Sequence, residues 1–149
     1  GECVKISSGY VVGGNGSAAD IVGVLNGIFY NDASTLKPTF ANFYKATITP
    51  ANSEDTVAFV MDDPFQQYVV ATDDARTQAQ FLATYDMNSS AGSDTTGKSS
   101  STLDTSVTDA NGKQFRLIRS AEDPENEDIT AAFFSGIVVS NLNSFNGHN

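Results

Sequence analysis

Short apolar runs rich in β-branched and aromatic residues alternate along this chain with clusters of Gly, Pro, Asn, Asp and Ser. That alternation is the signature of strands joined by turns. Val4 and Ile6 open a first strand, and Tyr10 to Val12 form a second that ends at Gly13-Gly14-Asn15-Gly16. Ile21 to Tyr30 is apolar at both parities, as a strand buried between two layers would be. Gly23 and Gly27 share one of its faces, which suits a bend. After a turn at Asn31-Asp32-Ala33-Ser34, Phe40 to Ile48 predicts a strand with Phe40, Tyr44 and Ala46 on one side. Thr56 to Met61 carries Val57, Phe59 and Met61 on one face, and Phe65 to Ala71 follows beyond Asp62-Asp63-Pro64. The two runs predict a hairpin.

One short helix is expected. Thr72-Asp73-Asp74 offers a cap and dipole-matched acids, and Ala75, Ala79, Leu82 and Tyr85 follow at helical spacing. Ser, Thr, Gly and Asp then dominate from Asn88 to Gly112, so residues 86–112 are expected to form a long exposed loop or arm. Lys113 to Arg119 alternates as a one-faced strand, Ala121 to Asp128 is an acidic loop, Ile129 to Leu142 is the last strand, and 143–149 is a polar tail. The whole, 1–149, reads as a single all-β domain of on the order of seven or eight strands, a β-sandwich or small β-barrel.

Charge narrows the function classes. Eighteen acids stand against eight scattered bases, a net charge of −10, which disfavours nucleic acid as a partner. The longest apolar stretch falls well short of the roughly 20 residues of a membrane span. Gly1-Glu2-Cys3-Val4 offers neither a basic leader nor an apolar signal core, and the missing initiator Met points to residues upstream or to processing. Cys3 is the single cysteine and reads as a small buried hydrophobe.

Candidate chemistry is sparse. Gly92-Ser93-Asp94-Thr95-Thr96-Gly97-Lys98-Ser99 matches the phosphate-loop pattern, and Thr56 to Asp63 imitates its magnesium-holding strand. That chemistry needs a strand before the loop and a helix after it. Neither is predicted here, so the match is read as chance. Asp62-Asp63 before Pro64 reads as turn chemistry, and Asp73-Asp74 as a helix start. The 123–128 loop lacks an EF-hand's ligand pattern, which leaves at most a weak surface Ca2+ site. His148 is the sole histidine and lies in the tail, so neither a nucleophile–base pair nor an ordinary zinc site can be assembled. No catalytic residue, cofactor or metal is expected. Phe40, Phe43 and Tyr44, and Phe133 with Phe134, are expected to pack in the core, with a sugar-binding platform as the alternative use.

Ile21-Val22-Gly23-Val24-Leu25-Asn26-Gly27-Ile28-Phe29-Tyr30 with Asn31-Asp32, followed by Phe40-Ala41-Asn42-Phe43-Tyr44, resembles small virion structural proteins of tailed bacteriophages, the capsid decoration or cement family. Ala58-Phe59-Val60 with Asp62-Asp63-Pro64 and Tyr68-Val69-Val70 resembles that family's next hairpin, and Thr95-Thr96-Gly97-Lys98-Ser99 with Leu103-Asp104 one of its loops. The likeness runs from Gly1 to about Asp128, in short motifs. Members usually carry a further N-terminal segment. The resemblance implies a non-enzymatic protein on the outer capsid surface that clamps the major capsid protein, often as a trimer. It names no contact residues. A carbohydrate-binding or adhesin-type β-sandwich is the alternative, and an acid-dependent hydrolase using separated carboxylates a third.

Overall fold

The computed structural model describes residues 1–14, 16, 20–88, 90, 92–109 and 112–145, with the backbone alone at 107–109. His148 and the end of the tail lie outside the described residues. Strands β1 (Cys3–Ser7), β2 (Tyr10–Gly13), β3 (Gly23–Asn31), β4 (Pro38–Ala41) and β5 (Val57–Met61) form one five-stranded antiparallel sheet. Strands β6 (Gln67–Ala71), β7 (Thr84–Met87), β8 (Leu103–Asp109), β9 (Phe115–Ser120) and β10 (Ser135–Ser140) form a second, in the order β6-β10-β9-β7-β8. The fold is mainly β, in the two-sheet manner of a sandwich.

The core is built on one face of the second sheet. Cross-strand partners share a face, so the pairs Tyr85–Phe115, Leu117–Val138 and Met87–Leu103 line up one apolar surface. All six side chains are buried in one cluster, which Phe134 joins. Gly136 in β10 leaves room there for Leu117, whose Cδ1 lies 2.7 Å from where a Cβ would stand. From the first sheet's side the cluster receives Cys3, together with Ile21 just before β3. Gln114 ties the two sheets together. Its side-chain Oε1 accepts from Met87 N at 3.0 Å, and its Nε2 donates to Gly14 O at 2.5 Å.

The expected helix after Thr72 does not form. Residues 72–83 run extended or turned, with one 3₁₀ turn at Gln78–Gln80 capped reciprocally by Thr77 and Gln80. Thr72 is instead fully buried, its N–H donating to Phe134 O, and Arg76 N donates to Ile129 O. Tyr85 is taken into β7 opposite Phe115. Backbone bonding to distant strands outweighs a weak helical propensity.

The expected hairpin of 56–61 with 65–71 is also absent. Strand β5 pairs with β3, and β6 with β10, so the chain crosses from one sheet's edge to the other's at Asp62 to Gln66. Alternation along a strand says which residues share a face and nothing about the neighbour. The anticipated arm at 86–112 begins inside β7 and contains β8, paired with β7. Strand β4 stops at Ala41, short of Ile48. The last strand is confined to Ser135–Ser140. The tail is anchored at its start, where buried Asn143 forms a parallel bridge with Ile21.

Candidate functional site

Strand β3 is the axis of the first sheet. It pairs with β5 along one edge and, successively, with β1 and β4 along the other. Phe29 stands opposite both Phe40 and Val57, Gly27 opposite Phe59, and Val24 opposite Met61. The register with β5 shifts between Leu25 and Gly27, leaving Asn26 as an extra residue that bends the strand. This fixes Phe29, Phe40, Val57, Phe59 and Met61 on a single face. Gly23 is required beside the end of β5, because a Cβ there would collide with Met61 O.

That face is open. Phe40 is 71% exposed, Val57 50% and Phe59 44%. The Phe29 and Phe40 rings are 4.8 Å apart, and Phe40 and Phe59 are stacked at 6.1 Å. Gly27, without a side chain, leaves a shallow notch of about 300 Å³ beneath Phe40 and Phe59, with Asn42 at its rim. The opposite face carries Ile28, which is buried. Phe40 therefore departs from the core role expected of it, as do Tyr44 and Phe133, both more than half exposed. Only Phe134 of that group is fully buried. Aromatic identity gives no sign of which sheet face a partner covers, and that signal was not available in the sequence.

Beyond β5 the apolar exposure continues round the corner. Phe65 is 81% exposed in the turn and Val69 67% on β6. Asp63 holds this turn, its Oδ1 accepting from Phe65 N at 2.9 Å, as its place before Pro64 suggested. Asp62, Asp63, Glu54 and Asp55 are all exposed at the two ends of β5.

A second, more polar cleft of about 530 Å³ lies between Tyr30, Asp32, Lys45, Thr47 and Thr49. Hydrogen bonds from the Ser34 hydroxyl and from the Thr35 and Ser34 amides hold the Asp32 carboxyl below its usual range. Its Oδ1 is thereby committed to the turn.

The phosphate-loop lookalike spans the end of the β7–β8 connection and leads into a strand, with no helix. Residues 93–98 close a local turn, Ser93 N donating to Lys98 O at 2.9 Å and Gly97 N to Ser93 O at 2.8 Å. Gly97, at φ +68°, rests on the Phe43 ring. Both glycine and turn thus have a structural use.

Asp73, Asp123 and Asp128 are committed to hydrogen bonds within the fold. Asp73 is no helix start: its Oδ1 accepts from Thr105 N at 2.9 Å and from the Thr105 hydroxyl, and its Oδ2 accepts from Asn88 Nδ2 at 2.7 Å. Burial alone would raise this carboxyl, but those bonds outweigh it and hold it below its usual value. Asp123 accepts from Glu125 N and Asn126 Nδ2, and Asp128 from Thr130, which lowers both. Among the described residues no three His, Cys, Asp or Glu side chains converge to hold a metal.

Compared with models of known families, with curated proteins and with solved structures, the chain matches none.

Proposed function

We propose that this chain is a non-enzymatic decoration protein that binds the outer surface of a phage capsid, as a trimer, and stabilises the coat lattice. The observation that carries the reading is the open aromatic face of β3, β4 and β5, set on a domain whose own core is already closed over the second sheet. Soluble proteins seldom leave contiguous apolar surface uncovered unless something docks there. Stacked rings around a notch are the form an interface anchor takes. The negative charge suits the outside of a DNA-filled shell better than its lining. Binding to the assembled lattice alone would stabilise it by mass action.

The test is co-sedimentation with undecorated capsids, with heat resistance of the particles as the second readout. Wild type should bind and protect. Phe40→Ser with Phe59→Ser should fold, since both rings are exposed, yet lose about tenfold or more in affinity. Equal binding by the double variant would remove the face from the reading, and shells equally robust without the protein would remove the function.

The polar cleft beside Tyr30 favours a second reading, a carbohydrate-binding module, because a tyrosine with neighbouring hydroxyls and an ammonium suits a sugar. A glycan array with a binder lost in Tyr30→Ala would support it over capsid binding.

A further inference from the structure

Among the described residues no strand lies beside the outer edge of β5. Among the described strands β5 pairs with β3 alone, so Val57 to Met61 presents one row of backbone N–H and C=O groups outward. Exposed, apolar edge strands of this kind are templates for pairing with another chain. The end of β5 is held in place from within, the Tyr68 hydroxyl donating to Met61 O at 3.2 Å.

The charges around this edge define its occupant. Glu54-Asp55 precede β5 and Asp62-Asp63 follow it, all four exposed. None of them is in an ion pair among the described residues. Strands β3, β4 and β5 contain no Lys or Arg. At strand rise the two acidic pairs stand about 20–25 Å apart, one at each end of the edge. A second copy added antiparallel would set Asp62 and Asp63 against Glu54 and Asp55 of its neighbour, and one added parallel would align each acidic end with itself. Both arrangements place like charges side by side.

We propose that the β5 edge receives an extended segment of another protein, an alternating apolar strand with Lys or Arg at both ends. Its backbone continues the first sheet, its inner apolar side chains extend the Phe40–Phe59 face, and its basic ends meet the two acidic pairs. This is strand addition, in which backbone bonds give affinity and side chains give specificity. The inference rests on the reading of this face as a docking surface, and it adds the chemistry of the partner.

The probe is the peptide Lys-Lys-Val-Thr-Val-Thr-Val-Lys-Lys, titrated into the full chain and followed by backbone amide NMR, with a Glu-flanked peptide of the same centre as control. The Lys-flanked peptide should bind with shifts and slowed exchange concentrated at Val57 to Met61. Affinity should fall about tenfold on raising salt to 0.5 M or so, where screening shortens below 5 Å or thereabouts. Asp62→Asn with Asp63→Asn, which keeps the Asp63 turn acceptor, should weaken it to a similar degree, and the Glu-flanked peptide should not bind. No binding, equal binding of both peptides, or shifts elsewhere would overturn the proposal. Concentration-dependent dimers abolished by Val57→Lys would overturn it in favour of a second copy. If peptides fail while capsid binding still depends on Phe40 and Phe59, the strand-addition proposal falls and the docking face stands. If both fail, both fall.

Discussion

Gly97 lies directly against the ring of Phe43: a Cβ at Gly97 would overlap the ring edge, and its φ of +68° is one that other residues adopt at a cost. A loop between two strands of the second sheet is thereby latched onto the connection that follows β4 in the first. Lys45, on the same connection as Phe43, sets its ammonium 5.0 Å from the ring centre.

Gly97→Ala should cost about 1–3 kcal/mol, combining backbone strain and overpacking. Trypsin cleavage after Lys98 should speed up with it. Phe43→Ala in the same background should restore part of the loss, because the ring supplies the clash, and a double-mutant cycle in urea would read the coupling. Strictly additive effects would disprove the latch.

Asp73 joins the exits of β6 and β7 to β8 through Thr105 and Asn88. Its carboxyl is held below the usual value of 3.8, so its contribution is complete above that value and fades as pH falls through the lower, folded one. Asp73→Asn should lose about 1–2 kcal/mol at pH 7, the range for a charged hydrogen bond that is partly solvated. The gap from wild type should narrow as the pH falls below 3.8 and through the lowered folded value. Urea midpoints across pH 2–7 measure it, and a gap independent of pH would contradict the assignment.

Gln114 is fully buried and serves a backbone N–H in β7 and a backbone carbonyl before β3. Gln114→Leu keeps the bulk and strands both groups. It should cost about 2–6 kcal/mol, from roughly 1–3 for each of the two orphaned groups. Equilibrium unfolding would show it, with a cost below about 0.5 kcal/mol counting against the knot.

Cys3 is 3% exposed, and burial first, then the neighbouring Glu2 carboxylate, pushes its thiol up to about 12. Aromatic disulfide reagents should leave it unlabelled at pH 8 in the folded protein and label it promptly in urea. Rapid labelling of the native chain would place Cys3 outside the core.

Much of the strand pattern was legible. The runs beginning at Val4, Tyr10, Ile21, Thr56, Phe65 and Lys113 all became strands within a few residues, because alternation of apolar and polar positions is a local property of the chain. The turn at Asp62-Asp63-Pro64 was legible for the same reason. Strand β8 was not: Leu103 to Asp109 has little apolar content, and β7 supplies the backbone partners that make it a strand. The helix read into 75–85 was lost to the same kind of partner, since Tyr85 is worth more opposite Phe115 than on a short isolated helix.

The sequence by itself determined an acidic, mainly β domain with one cysteine and one histidine, because these follow from residue types and short-range periodicity. Only the tertiary structure decided that β5 and β6 part to different sheets and that Phe40 and Phe59 face outward around Gly27. It likewise decided that the phosphate-loop wording closes on Phe43. Each of those outcomes depends on which distant strand a segment pairs with, and pairing is set by the packing of the whole chain rather than by any run within it.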